Sequence, residues 1–163
     1  MDLNIRGINA SELNTFSSIL IEATEWVNST GQELWDINDI TNEGLLKSYT
    51  IEEMYLACIN NEEAATVILQ EEDHIYWPHE KNSDSLYLHK LAIRRKFAKT
   101  GLSEQVLSWA KSEAKHHNKQ YLRLDCLANR SKLCHFYEAQ GFKKIKQEEI
   151  NHHLVAFYEY KIL

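Results

Sequence analysis

The hydrophobic residues of the chain recur at helical spacing in some stretches and form compact runs in others. The first helical stretch ends near Gly31 and carries apolar residues three and four positions apart, namely Leu13, Phe16, Leu20, Ala23 and Val27. Asn9 and Glu12 precede it with the spacing of a capping box, so we predict an amphipathic helix with a defined start. A second, short helix is predicted around Leu45, Leu46 and Tyr49.

Strand-like runs dominate the middle of the chain, after a short extended start at Leu3 to Ile5. Polar turns separate three of them, which predicts an antiparallel meander of Met54 to Ile59, Ala64 to Gln70 and His74 to Trp77. Leu86 to Ile93 is apolar except at His89 and Lys90, as expected of a central strand covered on both faces.

Helices and strands alternate in the last third. Apolar spacing predicts a helix after Gly101, and Gly141 is expected to end a helix that begins at Ser131. Strands are predicted at Tyr121 to Leu127, Phe142 to Lys146 and Leu154 to Ile162. The pattern predicts an α/β (α+β) fold with a mixed sheet and helices on its faces. Because there is no repeat or Gly/Pro/Ser-rich linker, we expect one domain over residues 1–163.

Composition excludes several classes of protein. The chain has 163 residues, is 44% hydrophobic and has one proline, which is unlike a disordered chain. No stretch resembles a membrane span or a signal core, so we expect a cytoplasmic protein with no membrane partner. Cys58, Cys126 and Cys134 lack CxxC spacing and are expected to be free thiols, and the eight histidines show no metal-ligand spacing, so no metal is expected.

Charge is divided unevenly along the chain. Residues 1–89 carry 3 basic and 17 acidic side chains, whereas residues 90–163 carry 15 basic and 7 acidic ones. This division predicts either two surfaces that meet ligands of opposite sign or two ordinary solvated faces. A nucleic-acid-binding role for the basic half is disfavoured by the overall net charge of −6 and the absence of a binding motif.

A strand, a basic turn and a helix follow one another around residue 95. Five of the ten residues 90–99 are basic, and Gly101 lies where the helix is predicted to begin. The start of a helix has unpaired N–H groups and a positive dipole end, which suits a phosphorylated ligand. Basic turns and helix-capping glycines are common, so the pattern alone leaves phosphate binding open.

The segments LYLHKLAIRRKFAKTGLSEQVLSWA and YLRLDCLANRSKLCHFYEAQGF resemble the cofactor-binding core of the GNAT superfamily of acetyl-CoA-dependent N-acetyltransferases. The resemblance implies six to seven mostly antiparallel strands with a central parallel pair, about four helices, and acetyl-CoA as co-substrate. It places pantetheine contacts on the backbone of Leu91, Ala92 and Ile93. It places the pyrophosphate on the loop that begins at Ala98 and continues through Lys99, Thr100, Gly101, Leu102 and Ser103. Ala98 and Ser103 depart from the family's Arg/Gln and Gly/Ala, which puts cofactor affinity in doubt more than fold.

The resemblance also implies roles in catalysis. Asn129 would face the cofactor, and Tyr137 would protonate the thiolate of departing coenzyme A. On helical spacing alone, Tyr137 would instead be a core residue beside Phe136 and Leu133. His89 is the leading general base, because its ordinary pKa near 6.5 suits proton removal at neutral pH.

Alternatives to these roles stay open. His89 could be a buried structural histidine, and Asp125 or Glu33 could act as the base through water. The acceptor site would include Trp35, Glu33 and Trp77, because aromatic rings with carboxylates attract a cationic amine. We therefore expect acetyl transfer to a primary amine of a small molecule or peptide by a monomer or homodimer; the alternative is a non-catalytic acetyl-CoA sensor.

Overall fold

The structure is a computed structural model that describes residues 2–80 and 83–162. The α-helices are α1 (Leu13–Ser29), α2 (Ile37–Ile40), α3 (Asn42–Ser48), α4 (Leu102–His116) and α5 (Ser131–Ala139). The strands are β1 (Leu3–Gly7), β2 (Met54–Ile59), β3 (Glu62–Gln70), β4 (Ser85–Ile93), β5 (Tyr121–Leu127), β6 (Lys143–Ile150) and β7 (His153–Lys161). The described residues form two compact units. Unit 1 comprises the residues up to Ile68 with Lys90–Val106, and unit 2 comprises Leu69–His89 with the residues from Leu107 onwards.

Unit 1 contains β1, β2, β3 and the end of β4, adjacent in that order, with β1–β2 and β2–β3 antiparallel. Its core lies between these strands and α1, where Phe16, Leu20 and Leu56 are fully buried. The predicted capping box is present, since the Asn9 and Glu12 side chains each bond the other's backbone. A pair of hydrogen bonds from Arg6, at 2.8 and 2.6 Å, also holds the Glu12 carboxylate.

Unit 2 contains the start of β4, then β5, β7 and β6. β4 and β5 are parallel, whereas β5–β7 and β7–β6 are antiparallel. One face carries a buried cluster of Trp77, Tyr87, Val155 and Phe157. The buried Arg123 on β5 links the neighbouring strands, because it donates to Glu159 on β7 at 2.8 Å and to the Tyr87 hydroxyl on β4 at 3.2 Å.

The mixed sheet predicted from the sequence is confirmed, including the parallel pair formed by β4 and β5. One predicted strand is wrong: His74 to Trp77 is a turn. The Asp73 carboxylate accepts hydrogen bonds from the backbone N–H groups of Ile75 and Tyr76, so a side chain takes the donors that a strand would offer to a neighbour. The three cysteines are free, as predicted. No helix in the described residues has the length and apolarity needed to cross a membrane.

Candidate active site

Strand β4 changes character at Lys90. Its pairing with β5 covers Ser85–Tyr87, whereas the strand itself continues to Ile93. Lys90 has a φ of +54°, which is uncommon for a residue with a side chain and interrupts the alternation of side chains along the strand. This irregularity lies directly before Leu91, Ala92 and Ile93, whose backbone is expected from the resemblance to contact pantetheine. Side-chain alternation therefore does not continue from His89 through Lys90 to Leu91.

The predicted phosphate loop has the geometry of a helix start. Lys99 and Gly101 have φ values of +61° and +83°, and α4 begins at Leu102. The first backbone bond of the helix runs from the Gln105 N–H to the Gly101 carbonyl at 3.2 Å. The N–H groups that precede Gln105 therefore have no partner within the helix, as at any helix start. This loop can therefore offer backbone N–H groups to a phosphate, although Ala98 stands where the family has an arginine or glutamine side chain.

Most cations of the basic turn already have partners in unit 1. Arg94 lies 3.4 Å from a Glu22 carboxylate oxygen, Arg95 stacks 3.6 Å from the Trp26 ring centroid, and Lys96 donates to Glu62 at 2.7 Å. Within residues 2–80 and 83–162, Lys99 forms no ion pair, and its side chain is exposed. Lys99 is thus the cation of the predicted phosphate loop whose charge is not offset by an ion pair in the described residues, and phosphate binding by this loop stays a prediction.

Unit 2 brings His89 together with two carboxyl groups. The Asp73 Oδ2 lies 3.5 Å from the His89 Nε2, with side-chain exposures of 5% and 11% respectively. Asp125 completes the group. One ring nitrogen of His89 and one carboxylate oxygen from each aspartate all lie within 4.8 Å of one another. We interpret this cluster as suited to proton transfer, because an imidazole beside carboxylates is stabilised when it takes up a proton. The expected absence of a metal stays a prediction.

Tyr137 lies in α5 and is 6% exposed. Burial, and after it the charges of the Cys126 and Asp125 groups, raises the pKa of its phenol. The phenol therefore stays protonated at neutral pH and can donate a proton or a hydrogen bond. Its ring centroid also lies 5.4 Å from that of Phe136 and 5.8 Å from that of Phe142. Tyr137 is therefore also a core residue, as helical spacing alone predicts. Asn129 is exposed in the turn that follows β5.

The residues predicted to bind the acceptor lie in different settings. In unit 1, Glu33 is exposed, and the Lys90 ammonium lies 5.2 Å from the ring centroid of Trp35 and 5.8 Å from that of Tyr49. The chain's own lysine thus occupies a position expected for a cationic acceptor. In unit 2, Trp77 is 4% exposed and packs edge-on against Phe157. Binding of an acceptor by these residues stays a prediction.

The structure therefore sorts the candidate residues by unit. Unit 2 holds His89, Trp77, Asn129 and Tyr137, and unit 1 holds Glu33, Trp35, Leu91, Ala92, Ile93 and the loop residues Lys99, Thr100, Gly101, Leu102 and Ser103. Sequence reasoning missed Asp73. Its one signal was an aspartate directly before the run His74 to Trp77, the position of a side chain that caps a turn.

Known sequences that are similar to this chain are acetyltransferases. The sequence model of the acetyltransferase (GNAT) domain matches residues 33–163. The uncharacterized N-acetyltransferase YesJ of Bacillus subtilis (strain 168) is 30% identical over 156 residues, which cover 88% of this chain and 83% of YesJ.

Solved structures show the same fold at low sequence identity. A GNAT-family acetyltransferase of Listeria monocytogenes 4b F2365 has a TM-score of 0.77 at 19% identity, covering 98% of this chain and 94% of that one. The PaiA N-acetyltransferase of Thermoplasma acidophilum, in complex with coenzyme A, has a TM-score of 0.75 at 17% identity, covering 99% of both chains. The ribosomal-protein-S18-alanine N-acetyltransferase of Escherichia coli has a TM-score of 0.73 at 15% identity, covering 99% and 94%.

Proposed function

This chain belongs to the GNAT family of acetyltransferases, and we propose that it transfers the acetyl group of acetyl-CoA to a primary amine of a small molecule or peptide. The observation that carries the proposal is that unit 2 holds a buried phenol, Tyr137, and a shielded imidazole, His89, and that Asp125 interacts with the first and lies beside the second. One group is suited to give a proton and the other to take one. The coenzyme A complex of the related PaiA structure supports the choice of cofactor.

The proposed reaction needs three proton transfers. An ammonium acceptor has no lone pair, so His89 first removes a proton and the amine nitrogen attacks the thioester carbon. Backbone N–H groups of Leu91 to Ile93 polarise the carbonyl as negative charge develops on its oxygen. The carbon–sulfur bond then breaks, and Tyr137 donates a proton to the sulfur. The amide nitrogen then loses its second proton to the Tyr137 oxygen, so the products are the N-acetylated amine, neutral coenzyme A and one proton held by His89.

Two features of unit 1 favour opposite charges on the acceptor molecule. Exposed carboxylates at Glu33 and Asp36 support a cationic acceptor, as the sequence suggested. The Lys90 ammonium over Trp35 opposes it, because a cationic acceptor bound at this ring would lie beside another positive charge. The proposal is therefore a primary amine, with the sign of its remaining groups left to experiment.

A panel of amines tests the function directly. The full chain is incubated with acetyl-CoA and with cationic, zwitterionic and anionic primary amines and N-terminal peptides, and thiol release is followed together with the mass of each product. We expect a mass increase of one acetyl group on at least one primary amine. Coenzyme A binding without transfer to any amine, and without thioester hydrolysis, would instead support a sensor and would overturn the proposal.

A further inference from the structure

Asp73 lies in the connection between β3 and β4, with its two carboxylate oxygens used differently. Oδ1 accepts hydrogen bonds from the backbone N–H groups of Ile75 at 3.1 Å and Tyr76 at 3.0 Å. The Trp77 N–H donates to the Asp73 carbonyl oxygen at 3.0 Å, which fixes the backbone of the same turn. Oδ2 is directed to His89, 3.5 Å from its Nε2. The carboxylate is thus held in place before any substrate arrives.

The contact between Asp73 and His89 is shielded from water. Their side chains are only 5% and 11% exposed, so the electrostatic attraction between them is less screened than on the surface. The distance of 3.5 Å is within ion-pair range and longer than a good hydrogen bond. Contacts of catalytic groups are often long without substrate and shorten when the reacting complex forms.

We propose that Asp73 is a positioning residue for His89: it holds the imidazole with its hydrogen on Nε2, which leaves the lone pair of Nδ1 to accept the acceptor's proton. The proposal rests on the proposed function, in which His89 is the base. The Nε2 and Oδ2 atoms make no hydrogen bond with each other in the structure, but two lone pairs that face each other repel, so a neutral imidazole is more stable with its hydrogen on the nitrogen that faces the carboxylate. In the transfer, an N–H bond of the ammonium breaks and a bond from hydrogen to Nδ1 forms. The imidazolium produced then faces the Asp73 carboxylate.

Asp125 also faces the imidazole and decides how large the effect of Asp73 can be. It reaches the cluster from β5, so removal of the Asp73 charge leaves a second carboxyl group in place. The nearby cation on β5, Arg123, already bonds Glu159 and Tyr87. We therefore expect a partial weakening of proton uptake at His89 rather than its loss.

Asp73→Asn is the appropriate variant, because an asparagine oxygen can still accept from Ile75 and Tyr76 while the negative charge is removed. Glu72→Gln is the matched control, since Glu72 is the neighbouring residue and pairs with the exposed His74 at 2.9 Å. Histidine-selective 15N labelling and long-range proton–nitrogen spectra report which ring nitrogen carries the hydrogen. The spectrum of His89→Gln identifies the signals of His89.

We expect the neutral His89 to carry its hydrogen on Nε2 in the wild type. In Asp73→Asn, the titration midpoint of His89 should fall by about one pH unit, whereas Glu72→Gln should leave it in place. An unchanged midpoint and hydrogen position in Asp73→Asn would overturn the proposal without touching the proposed function. The backbone spectrum of the same sample shows whether the variant is folded.

Kinetics connect the pair to the reaction. With an acceptor from the amine panel, the acid limb of the pH dependence of kcat/KM should move to lower pH in Asp73→Asn by the shift seen in the spectra. The maximal kcat/KM should fall about tenfold, with the KM for acetyl-CoA unchanged. A shifted midpoint with an unmoved limb would overturn the role of Asp73 in the reaction. A shifted midpoint with no transfer to any amine would mean that the proposed function fails while the Asp73–His89 contact stands.

Discussion

At the scale of single residues, Tyr137 shows how packing and chemistry share one side chain. Its ring lies among Phe136, Phe142 and Tyr158, and its backbone carbonyl accepts from the Phe142 N–H at 3.1 Å. These contacts fix the ring, and its burial keeps the phenol protonated because burial raises its pKa. A phenylalanine preserves the ring and removes only the hydroxyl, so the two roles can be separated.

Tyr137→Phe should therefore lower kcat by about 10²-fold while the Kd for coenzyme A changes less than about twofold. The reason is that thiolate departure loses its proton donor, whereas the bound ground state loses no charge. Turnover on the acceptor from the amine panel measures the first quantity, and calorimetric titration with coenzyme A measures the second. Phe136→Leu is the control for packing: it changes the ring next to Tyr137 and leaves the Tyr137 hydroxyl in place. Unchanged turnover in Tyr137→Phe would remove this residue from the mechanism.

At the scale of elements, the join between α2 and α3 depends on a glycine. Thr41 separates the two helices and caps α3 by accepting from the Gly44 N–H at 3.1 Å. A Cβ at Gly44 would collide with the Asn38 carbonyl oxygen and lie 2.8 Å from the Cα of Asp39, both of them backbone atoms of α2. Backbone atoms cannot turn aside as a flexible side chain can, so the two helices would have to move apart.

Gly44→Ala should destabilise the protein by about 2 to 3 kcal/mol through overpacking. For a chain of this size, that loss lowers Tm by about 4 to 12 °C. Thermal unfolding followed by circular dichroism measures the difference from the wild type. Gly7→Ala is the control, because the nearest atom to its added Cβ is the Met54 carbonyl oxygen at an ordinary 3.9 Å. Equal Tm values for the two variants would contradict the collision.

Elements with local signals were predictable from the sequence, and those set by distant contacts were not. The capping box of Asn9 and Glu12 is local and is confirmed. The run Ile75 to Trp77 has the composition of a strand, but the Asp73 side chain binds its N–H groups and makes a turn. No local signal marks the positive φ of Lys90. His89 was predicted as a site residue, but its contact with Asp73 was not, because the long β3–β4 connection brings the two together.

At the scale of the whole chain, the division of charge along the sequence does not persist in the folded units. Unit 1 has 7 basic and 13 acidic side chains, whereas unit 2 has 11 of each. The basic turn after β4 thus belongs to the acidic unit, and ion pairs such as Lys96–Glu62 follow from that placement. Paired charges have weak fields at a distance, so the number of lysines and arginines overstates the attraction for an anion.

Lys99 should for this reason contribute more to cofactor binding than Lys96 does. We expect Lys99→Ala to raise the Kd for coenzyme A about fivefold at low salt, with the difference shrinking toward 0.5 M NaCl as the phosphates are screened. Lys96→Ala should change the Kd less than about twofold, because its ammonium is already 2.7 Å from a Glu62 oxygen. Calorimetric titrations at two salt concentrations give all four values. Equal losses in the two variants would show that coenzyme A responds to the summed charge of the turn, and the assignment of Lys99 as its principal side-chain contact would then be wrong.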